Sequence, residues 1–174
     1  MESMLTPSRL WKQMTLEQRL QAARAFWQDE QASNDQMQAV LLIAQQKKFR
    51  PKSVVSLDDD RKARHLAGLA SLPDNLAARA LILYHLAEQR PMMSAFLDAL
   101  GIAHENGLIQ DDLAAPDLAK LGPAVTQIAR QFPPGSVSLY LNTLLSQDPN
   151  TWGALEPLLE EREKPQTSSL KSEV

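Results

Sequence analysis

The sequence predicts an all-α fold, a compact irregular bundle of eight or nine helices, on two observations. Leu and Ala supply 28 and 22 of the 174 residues, whereas Val, Ile and Thr together supply 17, so strong helix formers far outnumber the β-branched residues that fill strands. The second observation is that helix start signals recur along the chain, each followed by apolar residues at spacings of three and four. The length suits one domain, taken as residues 1–162, with a core large enough to need no disulfide or metal staple. The polar run from 163 to 174 has little to bury and is expected to be a flexible tail.

Thr6-Pro7 places a capping residue before a proline suited to the first helical position, opening a short helix to about Met14. Thr15 and Gln18 form a capping-box pattern for a second helix to about Glu30, with Leu16, Leu20, Ala23 and Trp27 on one stripe. A third helix starts at Ser33 or Asn34 and ends before Arg50-Pro51. Its stretch Val40-Leu41-Leu42-Ile43-Ala44 is apolar around the whole circumference, which predicts a central helix.

Ser56 with Asp59 is the expected cap of the next helix, whose acidic first turn Asp58-Asp59-Asp60 suits the positive end of the helix dipole. Pro73 breaks that helix, and Asp74 starts one to about Gln89. Residues 76–87 there are the most apolar window of the chain and predict the buried hub. Arg90-Pro91 opens a helix that Gly101 ends in the left-handed conformation. A loop, 102–112, follows, with Asn106-Gly107 as a turn of positive φ and Asp111 or Asp112 as the next cap. Residues 113–132 read as helical with a break at Gly122-Pro123, and Phe132-Pro133-Pro134-Gly135 ends them. Ser136 caps a helix to about Ser146, and Asp148-Pro149-Asn150 separates it from a last helix through about Glu161.

A weak self-similarity overlies these helices. Ala22-Ala23-Arg24-Ala25 matches Ala77-Ala78-Arg79-Ala80 at an offset of 55, and a third, drifting copy is hinted near Leu139-Tyr140. A short α-solenoid-like array is therefore an alternative to the irregular bundle.

Composition removes much chemistry. With no cysteine there is no disulfide framework, thiolate metal site or cysteine nucleophile. No run is apolar for the roughly 18 residues a membrane span needs, and the first 15 residues lack a signal-peptide apolar region, so a soluble, cytoplasmic protein is expected. The net charge of −3 does not suggest a nucleic-acid binder. Residues 1–56 nevertheless carry eight basic and five acidic groups against ten and sixteen in the remainder. The six glycines form no phosphate-cradling motif, so no nucleotide cofactor is implied.

Three histidines are the remaining reactive groups: His65, His85 and His104. His85 and Glu88 stand three apart on a helix, and with Arg79, His104 and Glu105 they form the candidate ligand-binding set. No Glu-x-x-His or His-Glu-x-x-His pattern occurs, so no metal centre is assigned. His65 follows Arg61 and Arg64, a cationic setting that disfavours a metal. His104 beside Glu105 has the composition of a general base, but no nucleophile or oxyanion donors accompany it, and no catalytic residue is named.

A second candidate set concerns a partner. Phe26 and Trp27, about 100° apart on one helix, are either core or an exposed anchor. Lys47, Lys48, Arg50 and Lys52 enclose Phe49 in a basic cluster suited to an acidic partner, or to phosphates. Val174 ends the chain in a pattern resembling tails that add to a sheet edge. The leading expectation is a non-enzymatic helical protein–protein interaction module, an adaptor or assembly subunit. A small-molecule or metal pocket around His85 and His104 is the alternative, and nucleic-acid contact through 47–52 the weaker one.

Overall fold

The computed structural model describes residues 5–110 and 115–163, in which eleven helices and one two-residue hairpin confirm the all-α class. Helix α1 (Pro7–Gln13) begins with Pro7 at its first position and Thr6 accepting from the Arg9 amide. In α2 (Leu16–Gln28) both halves of the Thr15–Gln18 capping box form. Helix α3 (Ser33–Lys47) ends on Lys48 in the left-handed conformation, with φ 58°.

Two local expectations are corrected in the following segment. A short helix α4 (Pro51–Val55) forms where no element was expected, because Pro51 begins a helix as readily as Arg50-Pro51 ends one. Ser56 is its C-cap, its hydroxyl donating to the Lys52 carbonyl at 2.8 Å. The cap of α5 (Asp59–Ala67) is therefore Asp58, whose carboxylate accepts the Arg61 amide at 2.8 Å. Helix α6 (Asp74–Glu88) follows Pro73, and α7 (Arg90–Leu100) ends at Gly101 with φ 69°, both as expected.

The loop holds a minimal hairpin, β1 (His104–Glu105) paired antiparallel with β2 (Leu108–Ile109), and its turn residues Asn106 and Gly107 have φ of 49° and 91°. Helix α8 (Leu118–Gln131) is capped by Asp117 and runs unbroken through Pro123. Pro123 lies on the exposed side of the helix. A helix-interior proline costs about 3 kcal/mol, which burial of Leu121, Ala124, Val125 and Ile128 at roughly 1.5–3 kcal/mol per large side chain offsets. Pro134 starts α9 (Pro134–Gln147) at its first position instead of ending a region, leaving Ser136 without a capping bond. Asp148 caps the one-turn α10 (Pro149–Trp152), and α11 (Leu155–Glu163) follows. The proposed caps Asp111 and Asp112, the residues from 164 onward and Val174 lie outside the described residues.

The core consists of two apolar clusters. One runs from Leu10 to Tyr84 through α1–α6, the other from Met92 to Leu159 through α7–α11. Helix α6 is the hub: it packs on α1, α2 and α3 on one side and on α7 and α9 on the other. The two clusters meet along α6 and α9, where Leu139 reaches into the first and Leu86 into the second. The three buried polar residues of the described chain, His85, Asn142 and Thr143, all lie on these two helices.

Helix α3 departs most from expectation. Ala39, Val40, Ile43 and Ala44 are buried, but Leu41 is 52% and Met37 54% exposed, so the helix is peripheral although its 40–44 stretch is apolar all round. The helical period places Met37, Leu41, Gln45 and Lys48 along one outward stripe.

Candidate functional site

The predicted ligand-binding residues separate into three places. Arg79 is a clamp between elements: its Nε donates to Asp35 at 3.0 Å and its guanidinium lies 3.9 Å from Asp29, tying α6 to α3 and to the end of α2. Gln36 works beside it, its amide donating to the Phe26 and Asp29 carbonyls at 2.9 Å and so completing the C-terminus of α2.

His104 clamps the hairpin. Its Nδ1 accepts the Gly107 amide at 3.0 Å, so the neutral ring carries its proton on Nε2 and donates it to Asp98 at 2.7 Å. Arg90 adds a donor bond to the Asn106 carbonyl at 2.8 Å. Both imidazole nitrogens are thus engaged by groups at the turn and the end of α7. Glu105 is exposed on β1.

His85 stands apart from these. It is 1% exposed on α6, whereas Glu88, at the end of the same helix, faces solvent, so the two share no ligand face. His85 Nε2 lies 3.1 Å from the Thr143 hydroxyl of α9, and that hydroxyl donates its only proton to the Leu139 carbonyl at 2.7 Å. The Thr143 oxygen must therefore accept from Nε2–H, which leaves Nδ1 as a bare lone pair. Nδ1 is buried and has no partner among the described residues. Burial in an apolar setting pushes the His85 pKa down to about 3, so the ring is neutral. Its edges meet Tyr84 and Tyr140 with ring centroids 5.3 and 5.4 Å away, and burial raises the Tyr140 phenol as well.

A cavity of about 170 Å³ opens between α6, α7, α9 and α10 against this histidine. Met93, Tyr140 and Trp152 wall it, and Ile82, Gln147 and Asp148 sit at the rim. Neither Arg79, Glu88, His104 nor Glu105 lines it, so the convergence of these groups with His85 on one cavity is not what the fold builds. Among the described residues no group of three or more His, Asp or Glu is placed to hold a metal ion.

The predicted partner residues also divide. Phe26 and Trp27 are both core, 1% and 8% exposed, in edge-on contact at 5.2 Å, and Lys62 covers the Trp27 ring at 5.3 Å. Neither ring is presented as an anchor, because α5 and α6 pack against α2 where these residues, with Ala22 and Ala23, are buried, while Leu16 at its start stays exposed. Lys47, Lys48, Arg50 and Lys52 are all exposed and form no ion pair with any described residue. Phe49, 44% exposed, stands among them edge-on to His65 at 5.5 Å, and Val55 of α4 is 50% exposed. Met37 and Leu41 were not expected here; the sequence signal that marks them is an apolar stretch wider than one helix face can bury.

Comparison with protein-family models, with curated proteins and with solved structures finds no match. Among the described residues no helix is long and apolar enough to cross a membrane.

Proposed function

We propose that this chain is a non-enzymatic helical protein–protein interaction module, an adaptor or assembly subunit, that docks its partner on the outer face of α3 and the adjoining 47–52 segment. The observation that carries the reading is the pairing of Met37 and Leu41, each more than half exposed and one turn apart on α3. A helix that needs its other face for the core gains nothing in folding from apolar groups on this one.

The conformation of Lys48 adds support. It closes α3 with φ 58°, a position where glycine is favoured because a Cβ there costs roughly 1–2 kcal/mol. A lysine at such a site keeps a charge at the expense of stability, a pattern typical of functional positions. The chemistry selects an amphipathic partner segment whose apolar stripe meets Met37 and Leu41 and whose carboxylates meet the lysines and Arg50.

Capture from an extract of the native cell, with the wild-type chain and a Lys47→Glu, Lys48→Glu, Lys52→Glu variant side by side, tests this. The expected result is a protein that the wild type retains, that the variant loses, and whose retention falls as salt rises. Light scattering of the eluted complex gives its stoichiometry. Recovery of nucleic acid in place of a protein, or equal recovery by both chains, overturns the reading.

A further inference from the structure

We propose that the cavity between α6 and α9 is a binding site for a small, neutral, largely apolar molecule carrying one hydrogen-bond donor, of the size and kind of phenol, and that His85 Nδ1 receives that donor. The site is separate from the α3 face and does not depend on the docking role.

The unpartnered acceptor is the first support. His85 is 1% exposed, its tautomer is dictated by Thr143, and Nδ1 has no partner among the described residues. Leaving a buried acceptor unmatched is costly, so a donor that reaches Nδ1 from the cavity His85 lines gains what the folded chain forgoes.

The shape of the cavity is the second. Its volume of about 170 Å³ is close to that of apolar cavities that take up a single aromatic ring, for which roughly 150 Å³ suffices. The walls are the Tyr140 and Trp152 rings and the Met93 thioether, which favour a planar aromatic guest by ring-edge and sulfur contacts.

Electrostatics select the charge state. No lysine or arginine lines the cavity, and Asp148 stands at its rim, so an anion finds no countercharge. A cation would have to leave water for walls that are mostly hydrocarbon, at a cost one neutral imidazole does not offset. Ile82 lines the cavity and is 38% exposed, which makes it the side chain to enlarge in a test of access.

The experiment is an NMR titration of the full chain, labelled with ¹⁵N and ¹³C, with phenol and separately with anisole. Anisole has nearly the same shape and no donor. Phenol is expected to bind saturably, to shift the Met93 methyl, and to move the His85 Nδ1 resonance from the position of a bare acceptor to that of a hydrogen-bonded one. Its affinity should exceed that of anisole by about tenfold, as expected for one buried acceptor satisfied. The His85→Phe variant should lose the preference for phenol. Ile82→Trp, a change at the exposed rim that leaves the core untouched, should block both compounds.

Any of four results overturns the proposal: no saturable binding, equal affinity for the two compounds, shifts that avoid Met93 and His85, or a Nδ1 resonance already hydrogen-bonded to water that phenol does not displace.

Discussion

Lys48 holds a left-handed conformation that costs stability, and His85 is held neutral by its burial; both make predictions at the scale of one side chain. Replacing Lys48 by glycine removes the Cβ from a left-handed residue and should raise stability by about 1 kcal/mol, read from the denaturant midpoint. The same variant should bind the docking partner more weakly, so stability and binding move in opposite directions. For His85 the relevant axis is pH. In the unfolded chain its pKa is near 6.5 and in the folded chain about 3, so between these values the unfolded state binds the additional proton. Stability therefore falls as pH drops through that window, at up to about 1.4 kcal/mol per pH unit. The His85→Phe variant should show a visibly shallower decline in a series of melts from pH 7 to pH 4. Asp148, whose carboxylate the Thr151 hydroxyl and amide hold below its ordinary value, acts in the same direction only at the acid end.

At the scale of the element, the hairpin and α3 show what local sequence can and cannot specify. The turn was legible because Asn106-Gly107 and Gly101 are residues that tolerate positive φ, and local chemistry of that kind is written in the chain itself. The clamp around it was not. Gly107 is pressed against a helix many residues away: a Cβ there would stand 2.7 Å from the Met93 Cβ. Gly107→Ala should accordingly loosen the hairpin, lowering amide-exchange protection at 104–109 by an amount equivalent to about 1–3 kcal/mol while leaving α2 and α6 protected. The capping box of α2 and the hub in α6 were legible for the same local reasons. The break at Pro123 was wrongly expected because tertiary burial of four side chains outweighs one lost backbone bond. The placement of α3 was misjudged because an all-apolar stretch says how much surface a helix offers, not how much its neighbours cover. That difference sorted the candidate partner residues: of the two readings open for Phe26 and Trp27 the fold takes the core one, whereas Leu41, in the stretch expected to be central, is exposed. Of the ligand set, only His85 lines the cavity, since which side chains converge depends on how α6 meets α9, and no local pattern encodes that.

At the scale of the whole molecule, two apolar clusters are joined along a seam whose buried polar groups are few and mutually dependent. The His85–Thr143 bond and the Gln147 amide, which donates to the Ala78 carbonyl at 3.1 Å, cross from α6 to α9. Thr143→Val keeps the shape but leaves the His85 Nε2–H without an acceptor, and should cost about 1–3 kcal/mol in chemical denaturation. An unchanged midpoint would mean that the seam is held by packing alone. The seam leaves the outer face of α3 exposed, so the proposed docking face and the proposed small-molecule site share no residues. The most direct test of the docking face is quantitative mass spectrometry of the proteins that co-purify from native extract with three chains: wild type, Met37→Glu with Leu41→Glu, and His85→Phe. The prediction is a partner recovered equally by wild type and His85→Phe and reduced at least about tenfold by the α3 variant, as for the loss of an interface centre worth more than about 1.4 kcal/mol. Equal recovery by all three chains would contradict it.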